Sequence, residues 1–201
     1  MEKHSRLYLV RHGQVMGFEE TRVNGHTNVD ITETGLLQME EVAKRLRHAE
    51  IDAVYSSDLI RAERGACIIG RHHNRPHHKK GELREIFFGD WEGMTFSEIE
   101  RAYPGEIEKR MSDLVNYRPP GKGESMGDAA ARVIRCISEI LDEHSGKNIL
   151  LVAHGGINRL ILCHALGLNI SRLFNIQQDF GCLNIIDFFP DNNAVVRLMN
   201  G

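Results

Sequence analysis

The sequence predicts an α/β fold, a three-layer α/β/α sandwich built on a mostly parallel sheet with an antiparallel edge strand and a helical excursion. Three observations carry that expectation. Apolar runs of strand length alternate with longer stretches of helical periodicity. The run NILLVA at 148–153 is apolar almost throughout, as a central parallel strand covered on both faces must be. Two distant runs, LYLVRHG and LLVAHGG, end alike in an imidazole followed by glycine, which is how a buried strand delivers polar groups to the carboxyl edge of a sheet.

The first strand covers 7–10 and is followed by a polar loop to about Thr32, with turn residues at Asn24, Gly25, Asn28 and Asp30. Thr32 reads as the N-cap of a helix to about His48, patterned by Leu36, Met39, Val42, Ala43 and Leu46. A strand at 51–57 and a helix at 58–71 come next, then a short strand at 77–80. From Leu83 an acid-bearing turn leads into a helix that begins near Thr95, stops before Pro104 and opens a helical excursion to about Leu114. The segment YRPPGKG at 117–123 returns the chain to the body. A long helix at 125–144, the strand at 148–153 and a helix at 157–166 follow. β runs at 182–189 and 194–199, joined by Pro190, Asp191, Asn192 and Asn193, read as a terminal hairpin. The 201 residues are predicted to form one domain.

Composition excludes several classes. An apolar fraction of 41% and a charged fraction of 26% are those of a globular protein, which rules out disordered and fibrous chains. With a net charge of −3 and dispersed basic residues there is no footprint for a nucleic-acid backbone. No apolar run is long enough to span a bilayer, and the polar start MEKHSR lacks the core of a secretory signal, so the chain is expected in the cytoplasm, as a monomer or homodimer. Cys67, Cys136, Cys163 and Cys182 show no zinc spacing and read as buried thiols. The histidines of HHNRPHHKK (72–80) lie beside basic residues that repel a cation, and read as an exposed helix end and edge strand. Trp91 and Phe96 read as packing the excursion onto the body.

The predicted sheet edge collects Arg11 and His12 from the first strand, Ser56, Ser57, Asp58 and Arg61 after the second, and His154 after the strand at 148–153, with Glu85 as the nearest candidate acid. Fixed guanidinium charge beside imidazoles that are partly neutral near pH 7 suits an anion, phosphate first.

That set, together with LVRHGQ, GHTNVDITETG, SSDLIRA, LREIFFGDWEG, GKGES and LLVAHGG in order, resembles the histidine phosphatase superfamily, the phosphoglycerate mutase-like group. The resemblance implies roles for single residues. His12 matches the nucleophile that forms a phosphohistidine, and Arg11 and Arg61 match the phosphate-clamping arginines. His154 matches the second histidine, a donor to the phosphoryl group. Glu85 matches the proton donor, which burial beside Ile86, Phe87 and Phe88 would help to keep protonated; Glu92, Asp90 and Glu124 are the other carboxyls that could serve. Gln14, Asn24, Gly25 and Gly155 fall at the substrate rim. Phe18 stands where many members have an asparagine.

The implied chemistry needs no metal and no cofactor, and its partner is a small phosphate ester. The excursion at about 95–123 corresponds to the family's lid. It is shorter than in the mutases, and Gly156 stands where mutases tend to have asparagine, so hydrolysis is expected, in the manner of α-ribazole and broad-specificity phosphatases. Phosphoglycerate mutation and silent phospholigand binding are the alternatives. Lys109 and Arg110 form a basic pair in the excursion that the sequence alone does not place.

Overall fold

A computed structural model describes residues 4–191 and 193–201; Asn192 of the expected hairpin turn and the first three residues of the polar start lie outside the described residues. Six strands form one sheet: β1 (Ser5–Arg11), β2 (Ala53–Ser56), β3 (His77–Lys79), β4 (Asn148–Ala153), β5 (Leu183–Phe188) and β6 (Ala194–Leu198), in the order β3-β2-β4-β1-β5-β6. The first four run parallel, and β5 is antiparallel to β1 and to β6. The antiparallel strand is therefore internal, with β6 as the edge. The terminal hairpin is wide enough to place its first arm against β1.

Alternation along the central strands builds the layers. Leu7 and Leu9 of β1 and Ile149 and Leu151 of β4 face α5 (Met126–Glu143) and α6 (Gly155–Leu166), among Val133, Ile137, Ile140 and Leu160. Tyr8, Val10, Leu150 and Val152 face α1 (Glu33–Leu46) and α2 (Ile60–Gly70), among Met39, Val42, Ala62 and Ile69. Both faces of β1 and β4 are thus buried, which explains their unbroken apolar text.

Capping fixes where helices begin. Thr32 Oγ1 accepts from Gly35 N at 3.0 Å ahead of α1, and Ser125 with Asp128 and Thr95 with Glu98 form capping boxes on α5 and on α3 (Phe96–Ala102). A further short helix, α4 (Glu106–Ser112), completes the excursion. Two starts differ from expectation. Asp58 does not begin α2, because its carboxylate accepts both arms of Arg84 at 2.6 Å; the helix starts at Ile60. α6 starts at Gly155, two residues early, which puts the glycine pair on its first turn.

Cys136, Cys163 and Cys182 are buried, whereas Cys67 is exposed on the outer side of α2. Trp91 packs the excursion inward beside Tyr117, but Phe96 is 49% exposed. The histidine-rich stretch begins beyond the end of α2, as a turn and not as helix, and runs into edge strand β3, where His78 stacks on Tyr55. No helix among the described residues is long and apolar enough to cross a membrane.

At the end of β1 remote from the carboxyl edge, Asp187 of β5 is fully buried and accepts from Arg6 Nε at 2.7 Å and Arg197 Nε at 2.8 Å. Burial pushes its pKa up, but the bonds from Arg6 and Arg197 prevail and the net shift is downward. Its stabilisation is present above the ordinary carboxylate value and is lost as pH falls through the lower folded-state value. Asp187→Ala should cost about 3 kcal/mol by urea denaturation at pH 7, and Asp187→Asn should flatten the acid limb of stability against pH.

Candidate active site

β1 and β4 run side by side to the same edge, with Arg11 opposite Ala153, so the residues that follow each strand emerge together. The His12 amide donates to Ala153 O at 3.0 Å, and the His12 and His154 rings meet edge to face at 5.1 Å. Both imidazoles are buried. Close backbone passage at Gly13 helps: a Cβ there would collide with the backbone of Gly35.

His12 Nδ1 donates to Gly13 O at 2.8 Å, which places the proton on Nδ1 and the lone pair on Nε2. Burial, then the charges of Arg61 and Arg11, hold its pKa well below the ordinary 6.5, so the neutral ring is the resident form near pH 7. His154 is lowered in the same way, by burial first and Arg61 next. Its Nδ1 accepts from Arg61 Nε at 3.2 Å, and its Nε2 donates to Ser57 Oγ at 2.6 Å. Both ring nitrogens of His154 are therefore bonded within the protein, and the ring orients Arg61.

The two arginines differ in what they offer. Arg61, 1% exposed, donates from Nη1 to Thr27 O at 2.8 Å and from Nη2 to Asn24 O at 2.8 Å and Gly25 O at 2.6 Å. Most of its N–H groups are thus committed, and it acts as a fixed charge; burial pushes its pKa down to about 10, still a cation at neutral pH. Arg11 donates from Nη1 to Gln178 O at 2.6 Å, with its guanidinium 3.9 Å from the centre of the Phe180 ring, while its buried Nε–H has no partner among the described residues. Arg11 keeps donors to give.

His12, Arg11 and Arg61 line a cavity of about 420 Å³ together with Asn24 and Glu85, whereas His154 lies outside that lining. Among the candidate acids only Glu85 lines it. Glu92 is taken up by the His26, Thr27 and Phe88 amides and the Thr27 hydroxyl. Glu124 accepts both arms of Arg132, and Asp90 is exposed.

The rim residues have less direct places. Asn24 and Gly25 turn their carbonyls to Arg61, and a Cβ on Gly155 would lie 3.2 Å from Arg11 Nε, so that glycine gives Arg11 room. Gln14 is outside the cavity lining, its side-chain oxygen accepting from Thr32 Oγ1 at 2.8 Å. Phe18 sits on an exposed turn, also outside the lining.

Several lining residues were not selected from the sequence. Phe180 comes from an irregular segment, whose Gln178 holds Arg11 from outside the lining, and Arg159 comes from α6, donating to Ile176 O at 2.7 Å. The basic pair separates: Lys109 pairs with Glu106 on the outside, and Arg110 turns into the cavity 5.4 Å from the Phe88 ring centre. Phe96 lines the mouth of the cavity from the excursion. Among the described residues no cluster of three or more His, Cys, Asp or Glu side chains could hold a metal ion.

The model of the histidine phosphatase superfamily (branch 1) matches residues 7–201. A bifunctional protein of Mycobacterium tuberculosis, Rv2228c, is 34% identical over 197 residues, which are 98% of this chain and 54% of that protein. The chain thus spans about half the length of the first curated relatives it matches. An adenosylcobalamin/α-ribazole phosphatase of Salmonella typhimurium is 30% identical over 97% of this chain and 96% of its own. The crystal structure of the α-ribazole phosphatase of Shigella flexneri superposes with a TM-score of 0.89 at 28% identity, covering 98% of this chain and 96% of that one.

The buried neutral histidines have a thermodynamic consequence. Below pH 6.5 the unfolded chain takes up protons that folded His12 and His154 refuse, so stability falls with pH, by about 1.4 kcal/mol per pH unit for each group. Urea denaturation at a series of pH values from 7 to 5 should show at least that slope, and His12→Asn should lower it by about 1.4 kcal/mol per pH unit.

Proposed function

Because the chain belongs to the histidine phosphatase superfamily, branch 1, we propose that it hydrolyses phosphomonoesters through a phosphohistidine on His12, without a metal. The observation that carries this reading is the tautomer of His12. With Nδ1 tied to Gly13 O, the lone pair on Nε2 is the free nucleophile, in a cavity whose nearest charges are Arg11 and Arg61.

The steps follow from that arrangement. His12 Nε2 forms a bond to phosphorus as the P–O bond to the leaving group breaks, and Glu85 gives its proton to the departing oxygen. Water then attacks phosphorus, the N–P bond breaks, and the water proton returns to Glu85, so His12 and Glu85 end as they began. Arg61 supplies fixed charge, and Arg11 supplies donors to the phosphoryl oxygens as negative charge spreads over them. His154 acts through Arg61, which it orients; Asn24 and Gly25 seat the same guanidinium, and Gly155 leaves room for Arg11. Gln14 contributes at one remove, through the loop it shares with Thr32.

Residues 1–201 are read as one catalytic unit, with 95–123 as its lid over the cavity. Phe88, Trp91 and Phe96 give the lid side an apolar wall, which suits a small metabolite with an apolar body, in keeping with relatives named as α-ribazole phosphatases. The four cysteines are free thiols, which fits action in the reducing cytoplasm, as monomer or homodimer.

The test is phosphate release from a panel of phosphomonoesters, including α-ribazole phosphate, 3-phosphoglycerate and sugar phosphates, in the presence of chelator. Turnover should survive the chelator and fall about 10³-fold or more in His12→Ala. Interconversion of phosphoglycerates without release would replace this reading by the mutase, and phosphate binding with neither activity by a silent binding module.

A further inference from the structure

Glu85 lies between two single-turn 3₁₀ helices, Gly81–Leu83 and Gly89–Trp91, on a segment that belongs to no strand or α-helix. Its carboxyl is nevertheless placed by two amides. Gly156 N donates to Oε2 at 2.9 Å, and Ile86 N donates to Oε1 at 3.0 Å. Gly156 is the second residue of α6, where a first-turn amide has no partner within the helix.

The missing side chain matters as much as the amide. A Cβ on Gly156 would stand 2.5 Å from Glu85 Oε1 and 2.8 Å from Ile86 Cδ1, and its three nearest neighbours are all side-chain atoms of those two residues. At Gly13 and Gly35, by contrast, a Cβ would meet backbone, which cannot yield cheaply. At Gly156 the helix itself raises no objection, because the backbone is helical and alanine is the better helix former. What must move is the tip of Glu85 and, with it, the Cδ1 methyl of buried Ile86.

We propose that Gly156 is the positioning residue for the acid: its amide holds the Glu85 carboxyl, and its bare α-carbon leaves the space in which that carboxyl sits. The inference rests on the reading of Glu85 as proton donor to the leaving group. With Glu85 and Ile86 placed as they are in this chain, a side chain at 156 swings the carboxyl off the first turn of α6 and out of line with the departing oxygen, while the nucleophile and the arginines stay where they are.

The test compares kcat/KM for two esters in the full-length protein. p-Nitrophenyl phosphate releases a weakly basic phenolate that leaves without protonation, whereas an alkyl phosphate releases a basic alkoxide that needs a proton. Gly156→Ala and Gly156→Ser should fold and melt cooperatively, with the Ile86 methyl giving way by a few tenths of an ångström. Each should lose about tenfold more activity on the alkyl than on the aryl ester. Glu85→Gln should show the same pattern, and adding Gly156→Ala to Glu85→Gln should cause no further loss, since both act through one group.

Equal losses on both esters, no loss, or losses that multiply in the double variant would overturn the proposal. So would failure of both position-156 variants to fold, because the Cβ would then be opposed by the framework and not by Glu85. If Glu85→Gln itself lacks the leaving-group dependence, the reading of Glu85 falls; if Glu85→Gln has it and Gly156→Ala does not, only the role of Gly156 falls.

Discussion

The site depends on a guanidinium buried without a carboxylate partner. Arg61 sits at the start of α2 and spends its N–H groups on the carbonyls of Asn24, Gly25 and Thr27 and on the ring of His154. Carbonyl dipoles satisfy its hydrogen bonds, Glu85 and Glu92 offset its charge only from a distance, and at low local dielectric that charge is felt by its neighbours. The order of the long loop after β1 follows from the same contacts. Three of its carbonyls converge on one planar group, the Asn28 side chain accepts from the Ile60 amide, and Glu92 collects the next two amides of the loop.

From that charge the protonation state of the imidazoles follows. A buried histidine is already reluctant to charge, and one beside a fixed cation is more so. His12 and His154 are therefore neutral for a shared reason, but their hydrogen bonds divide their roles. A carbonyl holds Nδ1 of His12 and leaves Nε2 free; a hydroxyl and a guanidinium take both nitrogens of His154. Identical side chains after two neighbouring strands thus become, in the reading proposed, a nucleophile and a support.

The sequence revealed these elements to the extent that periodicity reaches. The apolar text of β1 and β4 located the sheet, and because ligands of α/β sheets gather at the carboxyl edge, His12, Arg11 and His154 could be read directly from where the strands stop. Thr32 and Ser125 marked helix starts because their hydroxyls cap locally. What periodicity does not encode was missed. Phe180 and Gln178 reach Arg11 from an irregular segment that only the folded chain brings near, and Arg110 parts from its neighbour Lys109 in the direction α4 gives it. Cys67 reads as buried in its apolar neighbourhood, yet it falls on the solvent side of α2. The early start of α6 escaped because glycines are poor helix formers; here Glu85 supplies an acceptor to the first turn.

The cavity therefore combines two kinds of support. The cations are set by regular structure: Arg11 at the end of a central strand, Arg61 in the first turn of a helix, Arg159 on α6, each with its guanidinium tied to backbone carbonyls. Such groups stabilise charge best when they need not move as it develops. Glu85, the group that would move a proton, stands on an irregular segment and is held by one amide of α6 and one of its own neighbours. A proton carrier has to serve two oxygens in turn, that of the leaving group and that of water. One amide on each carboxyl oxygen, one of them from an adjacent helix, gives it a defined resting place. The two glycines after His154 match this division: Gly155 makes space for the fixed charge of Arg11, and Gly156 for the carboxyl of Glu85.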